Sequence, residues 1–338
     1  MKSVKIIAIA LALIGCSGLQ LRAQVGGSTA YNFLDVSTSA RVYGLGGVNV
    51  SLVDDDLMLT DQNPALLGPE MSKMLSFGYM RYIGGTNFAA AKFAHSAGEN
   101  AAWSAGINYY GYGSITGTDA SGMVTGTFSP LDVAFTGSYS RNLGDRWRGA
   151  FSLKAIYSSY ASYTAWALCT DLGVNYFDED HDASLSLVVA NLGGQVKRFA
   201  DSYDRLPVDI RLGWSKGLGN TPLTLSITAY DLTRWKLPYY DVGDGTSDPV
   251  LKNGFVSNLF RHLVWGLEWR PRDSFYLDLG YNYRTRTDMS TYQRSFLSGF
   301  SAGLGMKVRM FSFGVALAQP HTGATTFMLN VSTNFFEL

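Results

Sequence analysis

From residue 74 to the C-terminus the chain alternates. Phe275, Leu277, Leu279, Tyr281 and Tyr283 interleave with Tyr276, Asp278, Gly280, Asn282 and Arg284. Phe300, Ala302, Leu304, Met306, Val308 and Met310 interleave with Ser301, Gly303, Gly305, Lys307 and Arg309, and Leu223, Leu225, Ile227 and Ala229 with Thr224, Ser226, Thr228 and Tyr230. A period of two is the mark of extended strands with unlike faces. It predicts fourteen strands, at 74–83, 87–95, 101–113, 131–143, 147–160, 163–177, 183–196, 208–218, 222–235, 262–272, 275–286, 299–310, 311–320 and 325–336.

A soluble sandwich alternates too, so the pattern alone leaves two architectures open. Strand length separates them. Most of the segments run well past the ~5–6 residues usual in soluble proteins and approach the ~9–11 that a tilted strand needs to cross a bilayer. The less apolar face carries Gly, Ser and Asn in place of dense Lys and Glu, as expected of strands around a lumen. The connections sort by parity: the even ones are all short (95–101, 143–147, 177–183, 218–222, 271–274 and a reversal near Phe311), and every long one is odd (114–130, 197–207, 236–261 and 287–298). Bacterial barrels have short periplasmic turns and long outer loops. The expected fold class is therefore all-β, a 14-stranded antiparallel transmembrane β-barrel of the outer membrane with both termini periplasmic.

Residues 24–73 do not alternate. They are rich in Gly, Asp, Asn and Pro, as in Tyr43–Gly47 and Asn63–Pro64, and read as a loop-and-turn segment with one short helix, a plug ahead of the barrel. Residues 1–23 read as a signal peptide, with Lys2 and Lys5 before an apolar stretch from Ile6 to Ile14 that is too short to span. Two cleavage sites compete. Leu13-Ile14-Gly15-Cys16 fits a lipobox, with lipidation at Cys16; cleavage after Ala23, before Gln24, is favoured because an integral barrel gains little from a lipid anchor. The domain boundaries are then 1–23, 24–73 and 74–338.

Composition agrees with the pattern. Charged residues are 16% and aromatics 14%, yet mean hydropathy is only +0.03, as alternating strands produce. Without residues 1–23 the chain holds 24 basic and 27 acidic residues, a net charge of −3, and no basic stripe that would suit nucleic acid. Aromatics near strand ends (Tyr109 and Tyr112, Tyr157 and Tyr160, Trp265 and Trp269, Tyr281 and Tyr283) fit interfacial girdles, although strand propensity alone also places such residues.

Little here suggests catalysis. His95, His181, His262 and His321 fall at turns or strand ends without metal-ligand spacing. No cofactor, metal or catalytic residue is expected. Cys169 reads as a small apolar strand residue. Asp54, Asp55 and Asp56 form an acidic run that could bind calcium but lacks the spaced ligands and glycine of an EF-hand loop; capping a helix that starts near Leu57, or pairing with basic lumen groups, fits better. The connection 236–261 carries Tyr239, Tyr240, Phe255, Val256, Leu259 and Phe260, which suggest a partner surface or a pocket lid, unless 255–260 simply begins the next strand.

One set of residues carries a family resemblance. Ser39-Ala40-Arg41 through Gly46-Gly47, then Asp54-Asp55-Asp56, then Asn63-Pro64-Ala65-Leu66-Leu67 resembles the N-terminal signature shared by FadL-type transporters and the PorV/PorQ family of the Bacteroidetes. Tyr31–Leu34, Ser51–Asp56, Phe260-Arg261-His262 and Gly280–Arg284 extend the resemblance to the type IX secretion system members of that family. It implies a FadL-like barrel plugged by its N-terminal segment and a role without enzymatic activity, in the machinery that attaches sorting-domain cargo to the cell surface. The implied partners are a PorZ-like surface protein that recognises anionic lipopolysaccharide, with the sortase PorU and PorV nearby. The FadL side of the resemblance implies an alternative, a channel for hydrophobic small molecules; the polar inward set Asp278, Asn282, Arg284, Lys307 and Arg309 speaks mildly against it.

Overall fold

The computed structural model describes residues 29–201, 203–241, 250–288, 297–321 and 324–335. Residues 1–28, and with them the signal peptide, Cys16 and Gln24, lie outside them. Fourteen strands close a barrel: β1 (Met74–Arg81), β2 (Asn87–Ser96), β3 (Ala101–Gly111), β4 (Leu131–Asn142), β5 (Trp147–Tyr160), β6 (Tyr163–Asp178), β7 (Ala183–Lys197), β8 (Asp209–Gly217), β9 (Leu223–Ala229), β10 (Leu263–Arg272), β11 (Phe275–Asn282), β12 (Phe300–Val308), β13 (Phe311–His321) and β14 (Ala324–Asn334). Every neighbouring pair is antiparallel, and β1 closes the ring against β14 with Phe77 opposite Val331. Closure leaves no strand edge unpaired, which hydrocarbon demands.

Each expected strand is present. Most boundaries agree within two residues, with two exceptions. The strand expected over 222–235 stops at Ala229, because Asp231 adopts a left-handed backbone (φ 56°) and turns the chain. The strand expected over 275–286 stops at Asn282 and gives way to the helical turn Tyr283–Asp288. Loop parity holds: every connection at one rim is short, and every long connection lies at the other rim, which also carries short ones such as that between Tyr160 and Tyr163. The long ones are not structureless: Ile115–Thr118 pairs with Val124–Phe128, and Tyr239–Asp241 pairs with Val250–Lys252.

Alternation sorts side chains as the sequence implies. Phe77, Leu153, Leu168, Leu279, Leu304 and Leu317 point outward and stay exposed, each on a different strand. An apolar belt around the whole wall needs lipid to cover it. Ser76, Ser140, Ser152, Ser186, Ser215 and Asn330 point inward and are buried.

What buries them is the chain's own beginning. Residues 29–73 lie inside the barrel, with a short helix α1 (Ala40–Gly44) and single turns at Asn32–Asp35, Leu57–Asp61, Pro64–Leu66 and Pro69–Met71. The segment starts in the half of the barrel with the long connections, where Thr29 bridges Arg205, and ends at the short-turn rim, where Met74 opens β1. Its backbone is satisfied by wall side chains: Asn330 takes the Ala40 N–H and donates to the Thr38 carbonyl, Ser301 donates to Gly44 O at 2.8 Å, and Ser140 donates to Leu67 O at 2.7 Å. An irregular segment inside a membrane barrel is tolerated because the polar lumen supplies these partners.

Candidate functional site

The lumen has two layers of different chemistry. Toward the short-turn rim it is a lattice of buried ions. Arg41, on α1, donates from Nε to Glu268 Oε2 of β10 at 2.7 Å and pairs with Asp54 at 2.9 Å. Arg270, two residues after Glu268 on the same wall face, pairs with Glu268 at 3.0 Å and with Asp54 as well. The Arg41 guanidinium also lies over the Tyr276 ring, 4.4 Å from its centroid. Further round the wall, Lys92 of β2 pairs with Asp61, Lys154 of β5 with Asp171 at 2.7 Å, and Arg211 of β8 with Asp209 at 2.7 Å and Asp35 at 2.9 Å. Charges withdrawn from water stay ionised only with partners at this range.

The acidic run splits into three separate roles. Asp54 is ion-paired to Arg41 and Arg270; burial pushes its carboxyl up, but the Arg41 charge and hydrogen bonds from Asp55 and Arg41 hold it below the usual carboxylate range. Asp56 caps the turn at Leu57, accepting from Met58 N at 3.0 Å. Asp55 sits at the rim, 3.8 Å from Lys307, and its carboxyl is pushed up to about 7, first by sharing a hydrogen bond with Asp54, then by burial and the Asp54 charge. Both non-calcium readings of the run are realised, each by a different residue.

Asn63, Pro64 and Ala65 form the second signature element. Asn63 caps the turn, accepting from Ala65 N at 2.9 Å and donating to Val50 O at 2.8 Å. Pro64 occupies the first position of that turn, where its missing N–H costs nothing. Ala65 rests where Gly173 of β6 leaves room, since a Cβ on Gly173 would meet Asn63 Oδ1 and lie 3.3 Å from the Ala65 methyl. Asp54 and Asp55 tie the inner segment to the wall by charge, whereas Asn63 folds the segment on itself and packs it against Gly173.

The layer toward the long connections is apolar. Met80, Phe88, Tyr110, Ala134, Ile156, Ala167, Ala316 and Met328 face inward there. Tyr31 and Phe33 fill the space, with the Phe33 ring centroid 4.7 Å from that of Tyr110. Two residues expected in an aromatic girdle belong here instead. Tyr112 and Tyr160 turn inward and both donate to Asp132 Oδ2, at 2.5 and 2.7 Å, because a buried carboxylate at the strand end draws their hydroxyls. Beside this layer, a cavity of about 270 Å³ opens between Val36, Tyr43, Tyr82, Tyr230, Asn282 and Phe300.

The polar inward set read from the sequence is only partly in place. Asp278 and Asn282 are buried inside, and Lys307 reaches Asp55. Arg284 lies in the Tyr283–Asp288 helix and bonds Asp231 at 2.8 Å, and Arg309 sits in a left-handed turn (φ 53°). Inward charged side chains are not confined to β11 and β12: Lys92, Asp132, Lys154, Asp171 and Arg211 supply them on other strands.

Three of the four histidines make defined contacts. His95 bonds Ser72 Oγ at 2.8 Å, His181 bonds Asp178 at 3.0 Å, and the buried His262 ring is held between the Tyr230 and Trp235 carbonyls. Cys169 is a buried free thiol on the inward face of β6.

In the 230–262 connection, the residues 255–262 form a helix, α2 (Phe255–His262), rather than the start of a strand. Phe255, Val256 and Phe260 are exposed, Leu259 and Tyr239 are half-buried, and Tyr240 is exposed on the neighbouring hairpin. The sequence placed all six in one loop; the structure divides them between hairpin and helix.

No family model and no curated protein matches the sequence. Solved structures do match in fold. The toluene transporter TbuX of Ralstonia pickettii is 13% identical with a TM-score of 0.53, over 88% of this chain and 97% of that one. The toluene transporter TodX of Pseudomonas putida is 10% identical with a TM-score of 0.55, over 89% and 98%. The monoaromatic hydrocarbon channel CymD is 12% identical with a TM-score of 0.53, over 90% and 99%. The chain shares the fold of these proteins, here a closed barrel of fourteen antiparallel strands.

Proposed function

We propose that this barrel is a sealed surface anchor of the type IX secretion system, holding a PorZ-like partner of the complex that processes and attaches sorting-domain cargo. The observation that carries the sealed state is the inner segment itself. It bonds to strands all round the wall, Arg41 ties it to Glu268 through a buried pair, and Tyr31 and Phe33 fill the apolar layer above. A conduit would need that layer free. The secretion-system role rests on the resemblance of the 39–67 signature and of the later stretches. In this orientation the long connections face outward, with the Tyr239–Asp241 hairpin and its exposed Tyr240 offered to the partner, and PorU and PorV nearby. Co-purification tests this: an affinity-tagged barrel, solubilised from its own membrane, should retain a lipopolysaccharide-binding surface protein, and retention should fall when the hairpin is replaced by a short Gly-Asn turn.

A second reading has its own support. The fold relatives are transporters and channels for toluene and other monoaromatic hydrocarbons, and they favour it over the anchor. The apolar layer is the right chemistry for such cargo. On this reading Tyr31 and Phe33 hold the place of a ligand and move aside to admit it. Uptake of a labelled monoaromatic compound by cells with and without the protein separates the two.

A further inference from the structure

Helix α2 is amphipathic in the wrong sense for a helix on a soluble rim. Its polar residues are the buried ones. Asn258 accepts from Leu237 N at 3.1 Å, Arg261 bonds Thr287 and Asp288, and His262 bonds the Tyr230 and Trp235 carbonyls. Its apolar residues face away from the protein, with Phe255 67%, Val256 62% and Phe260 43% exposed. In water this arrangement leaves large apolar side chains uncovered on a helix docked through its polar face.

The direction of that face identifies what covers it. Phe260 packs on Trp265, with ring centroids 5.7 Å apart. Trp265 is an outward residue of β10, on the same side as Leu267 and Trp269. From Trp265 the ring contacts continue around the outside of the wall to Tyr281 at 6.0 Å and from there to Phe300 at 4.7 Å. The apolar face of α2 is thus one surface with the lipid-facing belt. Trp235 stacks on His262 at 5.0 Å and meets Phe255 at 5.4 Å, which extends the aromatic band over the helix. Lys236, next to Trp235, and Lys252, two residues before Gly254, are exposed, and long cationic side chains of this kind suit lipid phosphates.

We propose that α2 is an interfacial membrane helix: Phe255, Val256 and Phe260 insert among the acyl chains of the leaflet at the long-connection rim, and Asn258, Arg261 and His262 fasten the helix to the barrel. Interfacial helices bind by this division of faces. These side chains then meet lipid rather than a protein partner, whether the barrel is an anchor or a channel.

Site-directed spin labelling tests it. The full-length chain, with Cys16 and Cys169 both replaced by Ala, carries a nitroxide at Val256→Cys and is reconstituted into vesicles of phosphatidylethanolamine and phosphatidylglycerol with no other protein. Leu279→Cys on the lipid-facing belt and Asp145→Cys in a short turn calibrate the scale. Heat-modifiable migration on gels verifies folding, and Phe255→Cys serves as a second probe. The expected result is an oxygen-to-nickel-complex accessibility ratio below that of Leu279, as an interfacial depth requires, and several-fold above Asp145. A ratio matching Asp145, or a label shielded from both reagents, overturns the proposal.

Discussion

Arg41 on the inner helix and Glu268 on β10, 227 residues apart in sequence, meet in a buried hydrogen bond of 2.7 Å, each with its side chain only 2% exposed. With Asp54 and Arg270 beside it, the pair couples the position of the inner segment to the folding of the wall. Arg41→Ala leaves Glu268 and Asp54 sharing Arg270 alone. Losing one member of a buried pair costs about 3–5 kcal/mol. The barrel should lose its heat-resistant migration at a clearly lower temperature, and Arg41→Lys, without the fork that reaches both carboxylates, should recover only part of the loss.

Gly280 and the Leu45–Gly46 backbone are the second point of attachment. A Cβ on Gly280 would land on Gly46 N and the Leu45 carbonyl carbon. A Cβ on Gly44 would likewise lie 2.8 Å from Gly303 Cα. Gly280→Ala should therefore let the wall close while displacing the inner segment, with an overpacking cost of about 1–3 kcal/mol. Trypsin should then cut at Arg41, which is protected in the parent, and the mature barrel should still assemble.

The outward face makes a depth-dependent prediction. Leu279 lies mid-strand on β11 and is 60% exposed to the surrounding lipid. Leu279→Arg should destabilise the barrel by about 2–4 kcal/mol, the cost of a cation near the bilayer midplane. Leu279→Phe should be nearly neutral. Denaturant titration in vesicles measures both.

Asp55 gives a pH dependence with a definite sign. Its carboxyl is raised to about 7 in the folded protein, so the folded state binds a proton that the unfolded chain releases near pH ~4. A raised carboxylate contributes stability at low pH and loses it as pH climbs toward 7. The effect is small because the side chain is largely exposed. Unfolding midpoints should drift down between pH ~4 and ~7 in the parent, and Asp55→Asn should flatten the drift.

The wall was legible because a membrane strand must alternate and because loop length follows parity; β1–β14 follow from those two rules. The inner segment was legible by its lack of alternation, and the cap at Leu57 by the acidic run before it; the cap made by Asn63 was not read. Helix α2 was not, since Phe255, Val256, Leu259 and Phe260 read as an apolar run with no sign that the polar positions 258, 261 and 262 would be the buried ones. The apolar layer escaped notice because it is made of scattered Ala, Met and Ile from strands distant in sequence, joined only when the barrel closes. Tyr112 and Tyr160 were misplaced because Asp132, their shared acceptor, lies on a third strand segment that no local pattern connects to them.

The central claim, a sealed anchor and not a conduit, is tested most directly by deleting the protein from its own cell. Surface proteomics and uptake of a labelled monoaromatic compound are then read in the same cultures. For a sealed anchor, sorting-domain cargo and its surface-bound partner should leave the cell surface while uptake is unchanged. Cargo retained at the surface together with a fall in uptake would contradict it and establish the channel reading in its place.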